Sequence, residues 1–293
     1  MPLTARIVST LAIVSTHESL KRWFLHHLRE EQIEVQRPSM SGTVLTFTLG
    51  LIILAVFVLL SLTGYVDTLI ILLSILTPLT AFLLGTLGLR LFGRESEMRH
   101  DTFHSVNLWI SIGLIMLSLS EIAAVLLSLT ASPLQIEATI GLVQMPGLLL
   151  WGFGILQYLR SVNSSLELMD TGRLWMTLLV AASLAALVLT AINALYFPWI
   201  GAVENVVLSP IVVGQGLLAA ITLGLAWTFR HGEIARPLFL VFCGFLLYLV
   251  RTAHWAFTIS TIGTPLNSII VVEAYIFFGA ALALARNLGV RVK

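Results

Sequence analysis

Leu238 to Ser260 reads LFLVFCGFLLYLVRTAHWAFTIS. The run is apolar and long enough to cross a bilayer, which takes about 20 residues. It nevertheless carries Arg251 and His254 well inside. A charge at the centre of a membrane helix costs at least about 2.5–3.5 kcal/mol, so it has to be shielded and partnered. The next apolar run, Asn267 to Ala285, brings Glu273. A chain built this way is expected to fold as a bundle of membrane helices around a buried polar layer.

Composition points the same way. The chain is 58% hydrophobic and 11% charged, with a mean hydropathy of +0.98. Soluble domains carry about 45–50% apolar and about 25% charged residues. The net charge of +1 and the lack of a long basic run give no reason to expect nucleic-acid binding. A lone cysteine, Cys243, excludes an internal disulfide and a cysteine metal cluster.

Eight apolar spans are predicted, at roughly 43–63, 66–92, 105–131, 134–159, 173–196, 205–228, 237–260 and 265–285. The fold class expected is therefore an all-α polytopic membrane protein of eight transmembrane helices. Gly64-Tyr65 and Ser132-Pro133 are short enough to make tight helical hairpins. Alternating the spans places every Lys and Arg except Arg251 on one side: Arg6, Lys21, Arg22, Arg29, Arg37, Arg90, Arg94, Arg99, Arg160, Arg173, Arg230, Arg236, Arg286, Arg291 and Lys293. The other side receives only Asp67, Glu137 and Glu204. By the positive-inside rule this implies cytoplasmic N- and C-termini in the cell membrane.

Residues 1–40 form the polar N-terminal segment, and the membrane domain occupies 41–293. Ser15-Thr16-His17-Glu18 fits a capping box, and Leu20, Trp23, Phe24 and Leu28 then share one helical face. That pattern predicts an amphipathic helix on the membrane surface; a short helix packed on the bundle and a strand–helix–strand segment are the alternatives. Ile7 to Val14 is too short to span and has no clear cleavage site after it, so it is expected to stay in the mature chain.

Spans three and four resemble spans seven and eight. Gly113 aligns with Gly244, and Phe153-Gly154 with Phe278-Gly279. Two parallel four-helix repeats, 43–160 and 173–286, are one reading; chance alignment of apolar helices is the other. LWISIGLIMLSLSEI followed by WGFGILQYLRS resembles the multi-span membrane sensor regions of archaeal and bacterial signalling proteins. The likeness covers spans two to four. It implies a sensor, and because no kinase, cyclase or receiver module lies within these residues, an output passing through a cytoplasmic or membrane partner.

Depth gathers the candidate site. At a rise of 1.5 Å per residue, Arg251, Glu273, Glu121, Gln144 and Gln215 all fall about 12–15 Å below the end opposite the arginines. His254 lies one turn nearer that end. Pro146 and Pro210 interrupt spans four and six, where local kinks often border a cavity. The layer is either a ligand pocket with Arg251 as an anion anchor, or an ion-pair lock of Arg251 with Glu273 or Glu121 that fixes helix register.

Catalytic residues are not expected. Cys243 and His254 are 11 residues apart, about 16 Å along a helix, whereas a nucleophile and its base need about 2.6–3.2 Å. No cofactor or metal is expected either. His254 is the only histidine inside a span, and His100 and His104, spaced i, i+4, read as loop residues rather than ligands. Ala181, Ala182, Ala185 and Ala186 suit close helix packing. The preferred function is a non-enzymatic membrane sensor or accessory module; a small-solute or proton-linked transporter is the alternative, and a membrane-embedded enzyme the third class. The paired broken helices of transporters are not seen in Pro146 and Pro210, which fall in non-equivalent spans.

Overall fold

The computed structural model describes residues 41–93, 102–128, 133–167, 170–196, 201–257 and 263–289. They form eight α-helices: α1 (Ser41–Leu62), α2 (Val66–Phe92), α3 (Thr102–Ser128), α4 (Pro133–Leu166), α5 (Thr171–Tyr196), α6 (Ala202–Thr228), α7 (Ala235–Phe257) and α8 (Gly263–Gly289). Each is long and apolar enough to cross a membrane. The chain is an all-α polytopic membrane protein, as its apolar runs require. The predicted amphipathic helix, His100 and the Ser132 side of the second hairpin lie outside the described residues.

Backbone satisfaction explains why these runs are helical. In hydrocarbon every N–H and C=O has to be paired within the segment. Intramembrane hydroxyls also turn back onto their own helices: Thr46 donates to Gly42 O, Thr77 to Leu73 O, Ser111 to Asn107 O and Thr190 to Ala186 O. The first hairpin closes with a Schellman motif. Gly64, at φ 79°, donates to Ser61 O, and Tyr65 donates to Leu60 O. α4 continues to Leu166 rather than stopping near 159, and Val162 and Asn163 on the added turn are buried. Asn163 is thus a helical residue, not a loop residue.

Six helices form a closed ring in the order α2, α3, α4, α6, α7, α8, each packed on the next and α8 back on α2. α8 also touches α3 across the ring and is the most enclosed of the eight. α1 packs outside the ring on α8 and the edge of α2, and α5 packs outside it mainly on α6. Both leave most of their surface facing outward.

Glycines set the close approaches. A Cβ on Gly113 would stand 2.4 Å from the Trp151 indole, and one on Gly88 would overlap the Ser111 side chain. Gly147 meets Leu117 and the Gly113 carbonyl in the same way. Close packing thus rests on these glycines; Ala181 and Ala185 of α5 are exposed. Prolines lie inside α2 as well as α4 and α6, at Pro78, Pro146 and Pro210.

One end of the bundle collects every described arginine except Arg251: Arg90, Arg160, Arg173, Arg230, Arg236 and Arg286, all exposed. We call it the basic end. Contacts between α3 and the ends of α2 and α4 assemble it: His104 Nε2 lies 2.7 Å from Phe92 O, and Thr102 donates to Ser161 at 3.3 Å. His104 is therefore a buried helical residue set edge-on to the Phe92 ring, not a loop residue. Among the described residues no group of three His, Cys, Asp or Glu could hold a metal.

Candidate functional site

An aromatic plug fills the middle of the ring. Trp151 of α4 is fully buried and its Nε1 donates to Ile110 O at 3.0 Å. Around its indole stand Phe278 at 4.4 Å between centroids, Phe245 at 5.4 Å and Tyr248 at 5.9 Å. Phe245 in turn meets Phe278 edge-on at 5.2 Å. Such pairs contribute about 0.5–1.5 kcal/mol each beyond their area. Glycines at 113 and 244 leave room for the rings of Trp151 and Phe278 respectively.

The polar layer sits on the plug, on the side away from the basic end. Glu121 of α3 is its acceptor. Its Oε1 receives the Gln144 Nε2 donor of α4 at 3.3 Å and the Tyr275 hydroxyl of α8 at 3.0 Å. Ser120, beside Glu121, reaches across to Val143 O at 2.7 Å and fastens α3 to α4 at this level. Tyr275 lies against Tyr248 of α7, ring centroids 6.2 Å apart. One turn on, Thr252 donates to the Tyr248 carbonyl at 3.1 Å and to Gln215 Oε1 of α6 at 3.0 Å. The layer thus runs Gln144, Glu121, Tyr275, Tyr248, Thr252, Gln215 and draws on five of the six ring helices.

The layer is not closed at Gln215. This side chain is 1% exposed, and its Nε2 has no hydrogen-bond partner among the described residues. A buried amide donor without an acceptor costs about 1–3 kcal/mol. Gln144, Glu121, Tyr275 and Thr252, by contrast, each bond to a side chain on another helix.

The sequence candidates divide in a way their depth does not reveal. Glu121, Gln144 and Gln215 face the ring interior and belong to the layer. Arg251 is half-buried on α7, one turn beyond Tyr248. His254 lies on the last turn and a half of α7, and its side chain is outside the described residues. Glu273 stands on another face of α8. Its Oε2 lies 3.2 Å from the point where a Cβ on Gly50 of α1 would stand, outside the ring. Tyr275, Tyr248 and Thr252 join the layer without being marked by depth or charge. Tyr275 follows the same stripe of α8 as Phe278, and Tyr248 the same stripe of α7 as Phe245, so helical spacing does signal an interior-facing tyrosine pair.

A second polar cluster joins α5 to α6. Asn193 Nδ2 donates to Asn205 Oδ1 at 3.1 Å, Asn205 Nδ2 to Thr190 O at 3.0 Å, and Ser209 Oγ to Asn205 Oδ1 at 3.0 Å. Its described donors are satisfied, which fits a clasp for an otherwise outward-facing helix. Cys243 is partly buried on α7 and lies apart from both clusters.

No protein-family model, no curated protein and no solved structure matches the chain.

Proposed function

We propose that the chain is a cell-membrane sensor module with both termini cytoplasmic, which takes a small polar ligand in the layer above the aromatic plug. Binding is passed to a partner protein at the basic end. The observation that carries this reading is Gln215: a fully buried donor left open in a layer where Gln144, Glu121, Tyr275 and Thr252 pair across helices. A purely structural lock gains nothing from an open donor, since a half-satisfied buried network is less stable than an apolar core. A ligand that offers an acceptor to Gln215 Nε2 completes it, with Arg251 one turn beyond Tyr248 as the nearest fixed cation on α7. The plug beneath favours sensing over passage, because Trp151, Phe245 and Phe278 pack ring against ring between the layer and the basic end.

The test is thermal unfolding of the purified chain in lipid nanodiscs against a panel of amino acids, small carboxylates and polyols. A ligand at a hundred times its Kd adds about 2.7 kcal/mol. The reading expects at least one compound that stabilises the wild type and fails on Gln215→Leu. Stabilisation of both proteins alike, or of neither by any compound, returns the layer to a structural lock.

A second reading, transport by two four-helix halves, has its own support. α2 and α6 have equal lengths, 27 residues each. Both carry the tetrapeptide TLGL near the basic end, at 86–89 and 222–225. Thr86 and Thr222 in these copies each share a hydroxyl between the i−4 and i−3 carbonyls. α2 packs on α8 as α6 packs on α4, the exchange expected of a two-fold arrangement. Pro78 and Pro210 also fall in the pair α2 and α6, one turn apart in the register of the TLGL copies, which weakens the objection drawn from Pro146 and Pro210 alone. The alignment of Gly154 with Gly279 fits less well, since Gly154 meets Trp109 of α3 and Gly279 meets Leu84 of α2. Uptake into proteoliposomes of a compound found in the thermal screen would favour this reading over sensing.

A further inference from the structure

Glu273 belongs to neither cluster. Positions 273 and 275 are about 200° apart around a helix. Tyr275 points at Glu121, so Glu273 points out of the ring, under α1. Gly50 and Ile276 form the notch that receives it. Oε1 is buried and has no hydrogen-bond partner among the described residues. α1, from Ser41 to Leu62, brings no titratable residue to the seam. α2 carries Asp67 in its first turn and Arg90 in its last, both exposed. α3 contributes Glu121, which is engaged with Tyr275 on the far face of α8. The ring contacts of α7 with α8 are made by Tyr275 and Phe278, also on that far face, and Arg251 and His254 follow Tyr248 along α7.

Among the described residues, Oε1 of a carboxylate in this notch meets no donor. A charge left so in apolar surroundings costs several kcal/mol, far more than a neutral acid. The helix above it is weakly held. α1 rests on α8 and the rim of α2, joined by the Phe47–Phe277 contact at 5.4 Å and the approach of Gly42 to Ala283. Thr43 Oγ1, two turns from Gly50 on the same face of α1, is also buried without a hydrogen-bond partner among the described residues. The seated position of α1 therefore leaves unmatched polar atoms at two points of one seam.

We propose that Glu273 is a proton-binding site under a movable cover. With α1 seated, the carboxyl holds its proton. When α1 lifts, water enters the seam and the proton exchanges. The site is separate from the interior layer and stands whether or not that layer binds a ligand.

The experiment uses the full chain in lipid vesicles and two carbodiimides, apolar dicyclohexylcarbodiimide and a water-soluble, charged analogue, with adducts located by mass spectrometry. A neutral acid adds its O–H across one C=N bond of the reagent; the resulting O-acylisourea rearranges to an N-acylurea that keeps every atom. The proposal expects the apolar reagent to modify Glu273 and not Glu121, with yield falling as pH rises. The water-soluble reagent should leave Glu273 untouched, and Glu273→Gln should lose the adduct. A tether tests the cover. In a Cys243→Ala background, Gly42→Cys with Ala283→Cys has its Cβ atoms 3.6 Å apart, within the 3.5–4.5 Å range of disulfides. Oxidation should abolish labelling and reduction should restore it. An unmodified Glu273, equal labelling by the soluble reagent, or labelling indifferent to the tether would each overturn the proposal.

Discussion

Asn205→Leu is the sharpest test of how α5 is held. α5 is almost wholly outward-facing, and its polar attachments to α6 pass through Asn205. The substitution deletes two interhelical bonds, from Asn193 Nδ2 at 3.1 Å and to Thr190 O at 3.0 Å, and one within α6 from Ser209 at 3.0 Å. Interhelical hydrogen bonds in membranes average about 0.6 kcal/mol, so the two lost bonds account for about 1 kcal/mol. Stranding the Asn193 amide, buried and unpaired, costs more, at about 1–3 kcal/mol. Asn205→Leu should therefore cost about 2–4 kcal/mol in all. Asn193→Leu combined with Asn205→Leu also removes the Asn193 amide and should recover about 1–3 kcal/mol relative to the single variant, because that buried amide is no longer stranded. Unfolding in mixed detergent micelles, followed by circular dichroism, measures both. A double variant no more stable than the single one would refute the reasoning, as would a single variant within about 0.5 kcal/mol of wild type, the range of uninvolved surface positions.

Trp151→Ala removes the bond to Ile110 O and empties the plug, and should cost about 3–5 kcal/mol in the same assay. Gly113→Ala drives a methyl to 2.4 Å from the Trp151 ring and should cost about 1–3 kcal/mol; Gly214→Ala, where a Cβ meets open space, should be neutral or gain up to about 1 kcal/mol of helix propensity. Cysteines placed at Tyr65 and Gly201 in a Cys243→Ala background should react with an impermeant maleimide added outside intact cells, and cysteines at Gly93 and Gly232 should not; labelling of the second pair would reverse or break the proposed topology.

Span number and approximate limits are legible because hydrocarbon demands long apolar runs, and that demand is local. The end of α4 escapes a hydropathy reading because Arg160 lowers hydropathy there without ending the helix, which goes on to bury Val162 and Asn163 at the basic end. Depth is legible too: of the residues it gathers, Gln144 bonds to Glu121, and Gln215 bonds to Thr252. Azimuth is not. Glu273 lies at the right depth but on the wrong face for that layer, because the stripe of Tyr275 and Phe278 turns inward and carries Glu273 out toward Gly50. Only the packing of α8 against four other helices decides which stripe that is. His104 reads as a loop residue because helix α3 begins in a polar stretch. Its burial depends on the Phe92 carbonyl of another helix, which no local pattern records.

The central claim is that the interior layer is an open receptor site rather than a finished lock. A high-resolution experimental density map of the full chain in lipid nanodiscs, prepared with the compound that stabilises it best, tests this most directly. The account predicts non-protein density at about 2.7–3.2 Å from Gln215 Nε2, with Gln144 and Tyr275 still donating to Glu121. A map in which Gln215 Nε2 instead donates to a protein carbonyl, with the space around it filled by side chains, would contradict it.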